Sequence, residues 1–316
     1  MAQSDSRLLY FQPGTTYGET PPTFTGAMAL SVFDLEMTAL AAEVVERQQV
    51  DSNGGRTIKP AMAAKFGTLS FSTYALASGT AGTAPAISGL LQACGTTLAT
   101  VANTSNTYTP SDLNLATGFG HFKVHHGGGD FFLYGAVGNP EITYAAGQLP
   151  LFRYTFEGIY QPPADGAVIA PTYPTSALDV VVDAVNTATF NLGTTGTPVS
   201  RECSSFTLNF GNQLERIANP GGVQRVRIAS REPSASVTVR RTTLVEFNPY
   251  VLAATEVENA LTMIHAAAGR RQTISIPRFT YSAPSQEDNA NEIFDSMDLL
   301  ISHTVNSTNF FSLKFD

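Results

Sequence analysis

A run of short, alternating segments occurs twice along this chain, in the same order, and few folds accommodate that. In the first pass, Leu30–Met37 reads as a strand and is followed by a long excursion, Thr38–Ala64. The excursion holds the turn Asp51-Ser52-Asn53-Gly54-Gly55, and Asn-Gly is a strong hairpin signal. Phe66–Leu76 alternates, with Leu69, Phe71 and Thr73 on one side and Ser70, Ser72 and Tyr74 on the other. A helix should follow: Thr83 as N-cap, Ala84 and Pro85 in the first turn, and Ile87, Leu90, Leu91 and Cys94 as one apolar stripe ended by Gly95. Thr96–Leu113 is rich in Thr, Ser and Asn and reads as loop. Gly120–His126 and Phe131–Gly138 then pair around Gly127-Gly128-Gly129-Asp130, and Glu141–Ala145 and Leu151–Tyr160 complete a sheet.

The second pass begins after Gln161–Ser200, a stretch broken by Pro162, Pro163, Pro171, Pro174 and Pro198 that carries Asp179–Val182 and Ala188–Phe190 as short strands. Ser205–Phe210 answers the strand at Leu30, the loop Gly211–Glu232 answers the excursion, and Ser236–Arg240 answers Thr68–Ser72. Asn248–Ala254 answers the capped helix, and Ala260–Ala267 pairs with Arg270–Phe279 around Ala268-Gly269. Ile293–Thr304 answers Leu151–Tyr160, and Asn309–Asp316 adds a last strand. An offset of roughly 165 residues is too long for a solenoid repeat and suits a duplicated domain. The expected division is therefore an arm over residues 1–26, a first module over 27–160, a linker over 161–200 and a second module over 201–316. The arm is broken by Pro13, Gly14, Pro21 and Pro22, and should order only against a neighbour.

Composition narrows the functional classes. Only 14% of the 316 residues are charged against the usual quarter, so much of the surface is expected to be covered by other subunits. A net charge of −8 argues against a general nucleic-acid binder, which needs clustered Lys and Arg. Cys94 and Cys203 make no disulfide framework and read as free thiols. Met1–Arg7 has no apolar signal region and no run approaches a membrane span, which points to a soluble protein made in a cytoplasm.

Candidate chemistry is sparse. His121 and His125 fall on one strand face and His126 on the other, but only Asp130 is near enough to help them hold a metal. His126-Gly127-Gly128-Gly129 has the look of an esterase oxyanion loop, yet the Gly-x-Ser-x-Gly elbow such a fold needs is missing. Glu36, Glu43 and Glu46 form no acid/base pair. Arg225, Arg227, Arg231, Arg240, Arg241, Arg270, Arg271 and Arg278 concentrate in the second half. Subunit salt bridges to Glu43, Glu46, Glu157, Asp165 and Asp179 are the favoured reading of them, with a DNA-contacting patch as the other. Neither catalytic residues nor a cofactor or metal site is expected. The rival classes are a virion-associated hydrolase and a carbohydrate-binding β-sandwich; Trp is absent, although 11 Tyr are present.

Several pieces carry a family resemblance. Ser78-Gly79-Thr80-Ala81-Gly82-Thr83-Ala84-Pro85-Ala86 leads into Leu90-Leu91-Gln92-Ala93-Cys94-Gly95. Then come Gly135-Ala136-Val137-Gly138, Leu149 to Tyr160, Ala170-Pro171-Thr172-Tyr173-Pro174 and Leu208-Asn209-Phe210-Gly211-Asn212-Gln213. As an ordered set, from about Ala27 onward, they resemble the major tail tube proteins of long-tailed bacteriophages. The resemblance implies a mainly β protein of two tandem β-sandwich modules, each flanked by a short α-helix, forming a shared inner β-barrel on assembly. It also implies a virion structural protein, not an enzyme, assembled in the host cytoplasm as a homo-oligomer. Stacked rings would conduct viral DNA without binding it specifically, and would meet tail terminator, tape measure and tail tip proteins. Duplication implies three chains per pseudo-sixfold ring, and the excursions Thr38–Ala64 and Gly211–Glu232 are the expected axial contacts.

Overall fold

A computed structural model of the chain describes residues 7–14, 22–45, 61–112, 118–173, 179–187, 189–194, 199–221, 223–289, 292–303 and 309–316. The first half contains β1 (Leu8–Gly14), a single 3-10 turn (Gly26–Met28), β2 (Ala29–Leu30), β3 (Phe33–Val45), β4 (Ala61–Tyr74) and helix α1 (Ser88–Ala93). It continues with β5 (Thr96–Val101), β6 (Ser105–Pro110), β7 (Phe119–His126), β8 (Gly129–Ala145) and β9 (Leu151–Asp165). The second half starts with β10 (Thr189–Thr194), β11 (Val199–Ser200), β12 (Cys203–Asn209), β13 (Asn212–Ile217), β14 (Arg225–Arg231) and β15 (Ser234–Arg240). Helix α2 (Pro249–Ala254) precedes β16 (Asn259–His265), β17 (Gln272–Tyr281), β18 (Ser285–Asn289), β19 (Glu292–Ile301) and β20 (Ser312–Phe315). The protein is mainly β, and its strand pairs are antiparallel.

The pairing order repeats. In the first half the neighbours run β1–β7–β8–β9–β4–β3. In the second half they run β10–β16–β17–β19–β15–β12, with β18 continuing along β19 where β17 leaves it. Each strand set is thus a sheet of the same connectivity, with a helix in the same place. The two join at two places. Ser205–Asn209 of β12 pairs with Ala145–Glu141 at the far end of β8, and β20 lies between β17 and β6. Together they form an 18-stranded hydrogen-bonded network. Phe206, Leu208, Ile142 and Tyr144 at the first junction are all at most 1% exposed, and they belong to the same apolar core as Leu69, Phe71, Phe122 and Phe156.

Several expectations change. Leu8–Gly14, placed in an arm, is the edge strand of the first set, because Leu9, Tyr10 and Phe11 are apolar enough to be buried against β7. Thr96–Leu113, read as loop, contains the hairpin β5–β6; its many Thr and Asn hide a strand that β20 stabilises by pairing. The stretch 161–200, read as a linker, finishes β9 and supplies β10 and β11, while Asp179–Val182 is no strand. There Val182 only exchanges hydrogen bonds with Gly147 and Gln148. Helix α1 begins at Ser88 without a side-chain cap, since Thr83 is held in an earlier turn by its N–H donating to the Thr80 carbonyl. The predicted stripe holds: Ile87, Leu90, Leu91 and Cys94 are fully buried, and Gly95 ends the helix at φ +74.

The two excursions are hairpin extensions. β3 and β4 run on together as far as Val45 and Ala61, beyond which the Asp51–Gly55 turn and Glu46 lie outside the described residues. The loop expected at Gly211–Glu232 is the two-stranded sheet β13–β14. Gly211 separates it from β12: its φ is +66, and a Cβ there would sit 1.8 Å from the Glu232 carbonyl oxygen. Only glycine tolerates both conditions.

Candidate assembly surfaces

Strand β7 is buried on both faces. Phe122 and Val124 enter the main core, while His121, Lys123 and His125 project to the other side. That side is covered by Tyr10, Phe24, Ala29, Phe132, Tyr134 and Ile169, a second small apolar cluster. Lys123 Nζ lies 2.7 Å from Asp130 Oδ2, and His125 Nδ1 2.8 Å from Asp130 Oδ1. The Tyr10 ring sits under Lys123, and its hydroxyl donates to the Ile169 carbonyl at 2.5 Å. Burial pushes the Tyr10 phenol up, reinforced by Tyr173 and Asp130. Asp130 is therefore held by Lys123 and His125 together, and His121 packs edge-on against Phe119 and Tyr134. Among the described residues no cluster of three His, Cys, Asp or Glu side chains could hold a metal. His126-Gly127-Gly128-Gly129 is the β7–β8 turn, with Gly127 and Gly128 at positive φ.

Hairpin β13–β14 belongs to the second set by sequence but lies on the first. Val226 and Ile228 are buried with Phe66, Phe119 and Val137. Asn212 donates from Nδ2 to the carbonyls of Cys94 and Gly138. Arg231 donates to Asn212 Oδ1 and to the carbonyls of Gly95 (2.7 Å) and Ser111 (3.1 Å). These bonds satisfy acceptors that the end of a helix leaves open, and put a cation where the helix dipole favours one. Burial lowers the Arg231 guanidinium to about 10 and raises the adjoining Cys94 thiol far out of its ordinary range. Further out, Arg216 grips Glu157 with two bonds of 2.9 and 3.1 Å.

The arginine cluster expected to bridge subunits is largely used inside the chain. Arg227 pairs with Glu215, Arg240 with Glu202 and Glu292, Arg271 with Asp316 and Arg278 with Glu258. Arg241 pairs with Asp295 and also donates to the Tyr250 hydroxyl, which raises its pKa further. Of the acids expected as partners, Glu157 takes Arg216, outside that cluster, and Asp179 feels Arg270. Sequence proximity hid these pairs because the fold brings together residues 12 to 59 positions apart.

What stays open is at the edges. Among the described residues β3 pairs only with β4, and β18 only with β19. Beside β3 lies a cleft of about 780 Å³ lined by Arg7, Asp34, Glu36, Ser70, Ser72 and Arg153, among others. Leu40 and Met62 on the β3–β4 hairpin are exposed, as are Leu300 on β19 and Val245, which is 99% exposed. Open strand edges and bare apolar side chains are features that a protein intended to remain alone tends to cover. A protein-family model described as phage tail tube protein matches residues 4–296. The chain belongs to that family. A tail tube protein is a structural component of the virion tail that assembles with its own copies, which gives the uncovered edges a use. No curated protein matches the sequence significantly. No described helix is long and apolar enough to cross a membrane.

Proposed function

We propose that this tail tube protein is the major subunit of a non-contractile tail of the long-tailed phage type. In this reading the two strand sets are tandem β-sandwich modules, and their sheets join those of neighbouring copies into an inner barrel. Three chains supply six modules per ring, rings stack, and viral DNA passes through the lumen. The observation that carries it is the repeated pairing order, with the edges of β3 and β18 left unpaired among the described residues. A contact that recurs head to tail closes a ring, and a second along the axis that does not close makes a tube. Tail terminator, tape measure and tail tip proteins would meet the two ends of that tube. The lumen wall is expected to be neutral or acidic, in keeping with a charge of −8 per chain. A basic wall would hold the duplex by counterion release and slow its passage.

Electron microscopy of the purified protein tests the reading. Striated tubes built of three-chain rings are the expected result. Rings of six chains would remove the duplication argument, and monomers at every concentration would remove the tube.

A further inference from the structure

The contact between the two strand sets inside one chain serves as a template for the contact between chains. We propose that the free edge of β3 in one copy runs antiparallel along β18 of the next, while its β3–β4 hairpin lies over that neighbour's β19. This rests on the tube reading above and names the surfaces it would use.

The correspondence follows from the pairings. Tyr74 ends β4 opposite Leu151, and Arg240 ends β15 opposite Phe294. Counting back, Ser70 matches Ser236 and Thr68 matches Ser234. Their partners then match: Glu36 with Thr207, and Thr38 with Asn209. Likewise Thr143, opposite Leu151, matches Glu287, opposite Phe294, and Glu141 matches Ser285. Within the chain Thr207 pairs with Thr143 and Asn209 with Glu141. The same register between copies sets Glu36 opposite Glu287 and Thr38 opposite Ser285.

Three further observations fit. Both edges concerned are unpaired among the described residues, whereas their counterparts β12 and β8 are joined. Hairpin β13–β14 covers β8 and β9 of the first set, reaching Glu157. The residue that matches Glu157 in the second set is Leu300, which is 57% exposed, and the hairpin that would cover it bears the exposed Leu40 and Met62. Leu300 is thereby given Leu40 and Met62 as apolar partners. Two facing glutamates would repel. Arg153 lines the same cleft as Glu36, across the small side chains of Ser70 and Ser72, and among the described residues no carboxylate pairs with it. It supplies the cation that the two glutamates share. The long excursion then makes a lateral contact within a ring, not the axial one expected from sequence.

Two experiments on the full chain decide it. Thr38→Cys with Ser285→Cys should give a ladder of disulfide-linked multiples on oxidation, while either single variant gives none beyond the background of Cys94 and Cys203. Arg153→Glu, which leaves only carboxylates at the seam, should weaken association at least about tenfold by light scattering, and adding Glu287→Arg, which restores one cation between two carboxylates, should recover most of it. Circular dichroism identifies any variant that does not fold; if the cysteine pair fails, the charge exchange decides. Normal tubes with no ladder, or with no loss in Arg153→Glu, overturn the seam and leave the tube reading standing. A wild-type protein that never associates overturns both.

Discussion

The two strand sets share a connectivity but fill it differently. Where the first set ends, at the start of β9, the inward side chains are Phe152, Tyr154 and Phe156, all fully buried, with Tyr154 and Phe156 stacked on Phe71. At the matching end of the second set, β19 turns Asp295 inward at 1% exposure. Arg241 and Tyr250 gather round it, and Gln286 donates to the Tyr250 hydroxyl at 2.8 Å. The first end meets β12 in the same chain and never separates from it. The second faces outward. Apolar fill suits a permanent junction, whereas a hydrogen-bonded polar end stays soluble before a partner arrives and can still be covered afterwards.

The contrast can be broken most strongly at the permanent junction. Phe206→Ala should cost about 3–5 kcal/mol in urea denaturation, since the void cannot collapse under strands packed on both sides. It should also loosen the two sets from each other, seen as faster amide exchange in β12 and in Glu141–Ala145 together. If only β12 changes, the sets are less coupled than their pairing implies.

Asp295→Asn is the corresponding change at the polar end. Loss of the ion pair leaves the Arg241 guanidinium with weaker acceptors, for about 1–3 kcal/mol. Because Arg241 is itself partly solvated, the effect should be smaller than that of Phe206→Ala. A larger effect would mean the polar end is as structural as the apolar one.

A titration sharpens the comparison further. His265 in the second set donates from Nε2 to the Val180 carbonyl and hydrogen-bonds the Thr187 hydroxyl through Nδ1, and burial lowers its pKa below the ordinary 6.5. The unfolded chain therefore takes up this proton first. The contribution of His265 is complete above 6.5 and is lost as pH falls through the range between 6.5 and the lowered folded value. Stability between pH 7.5 and 5.5 should decline more steeply in the wild type than in His265→Gln. Identical slopes would show that the imidazole is not the group responsible.

The smallest effect belongs to the exposed pairs. Arg278→Ala, which removes the surface ion pair to Glu258, should change stability by no more than about 0.5 kcal/mol. A larger loss on assembly than on folding would mark that pair as an interface contact.

Much of this fold was legible because alternation and turn chemistry are local. The strands around Phe71, Phe122, Phe156 and Val237, the β7–β8 turn at Gly127–Gly128 and the helix within Asn248–Ala254 all came from short-range patterns. Two of the misreadings share one physical cause. β1 and the β5–β6 hairpin are strands because distant segments pair with them, and neither Pro13 nor a run of threonines reveals a partner more than a hundred residues away. The candidate surfaces were less legible still. Arg231 looked like one more basic residue until the fold put it against the end of a helix from the other half. Glu36 and Arg153 gained interest only from the cleft they share.

Strand β8 has a mechanical consequence. Its first half is bonded to β7, its last five residues to β12, and most of its length to β9. It thus bonds strands of both sets along one continuous backbone. A pull along it loads many antiparallel hydrogen bonds in shear at once, instead of opening them one after another. Tension or internal pressure reaching one set would therefore be passed to the other across the sheared β8–β12 ladder, and the subunit should stretch as a single stiff link.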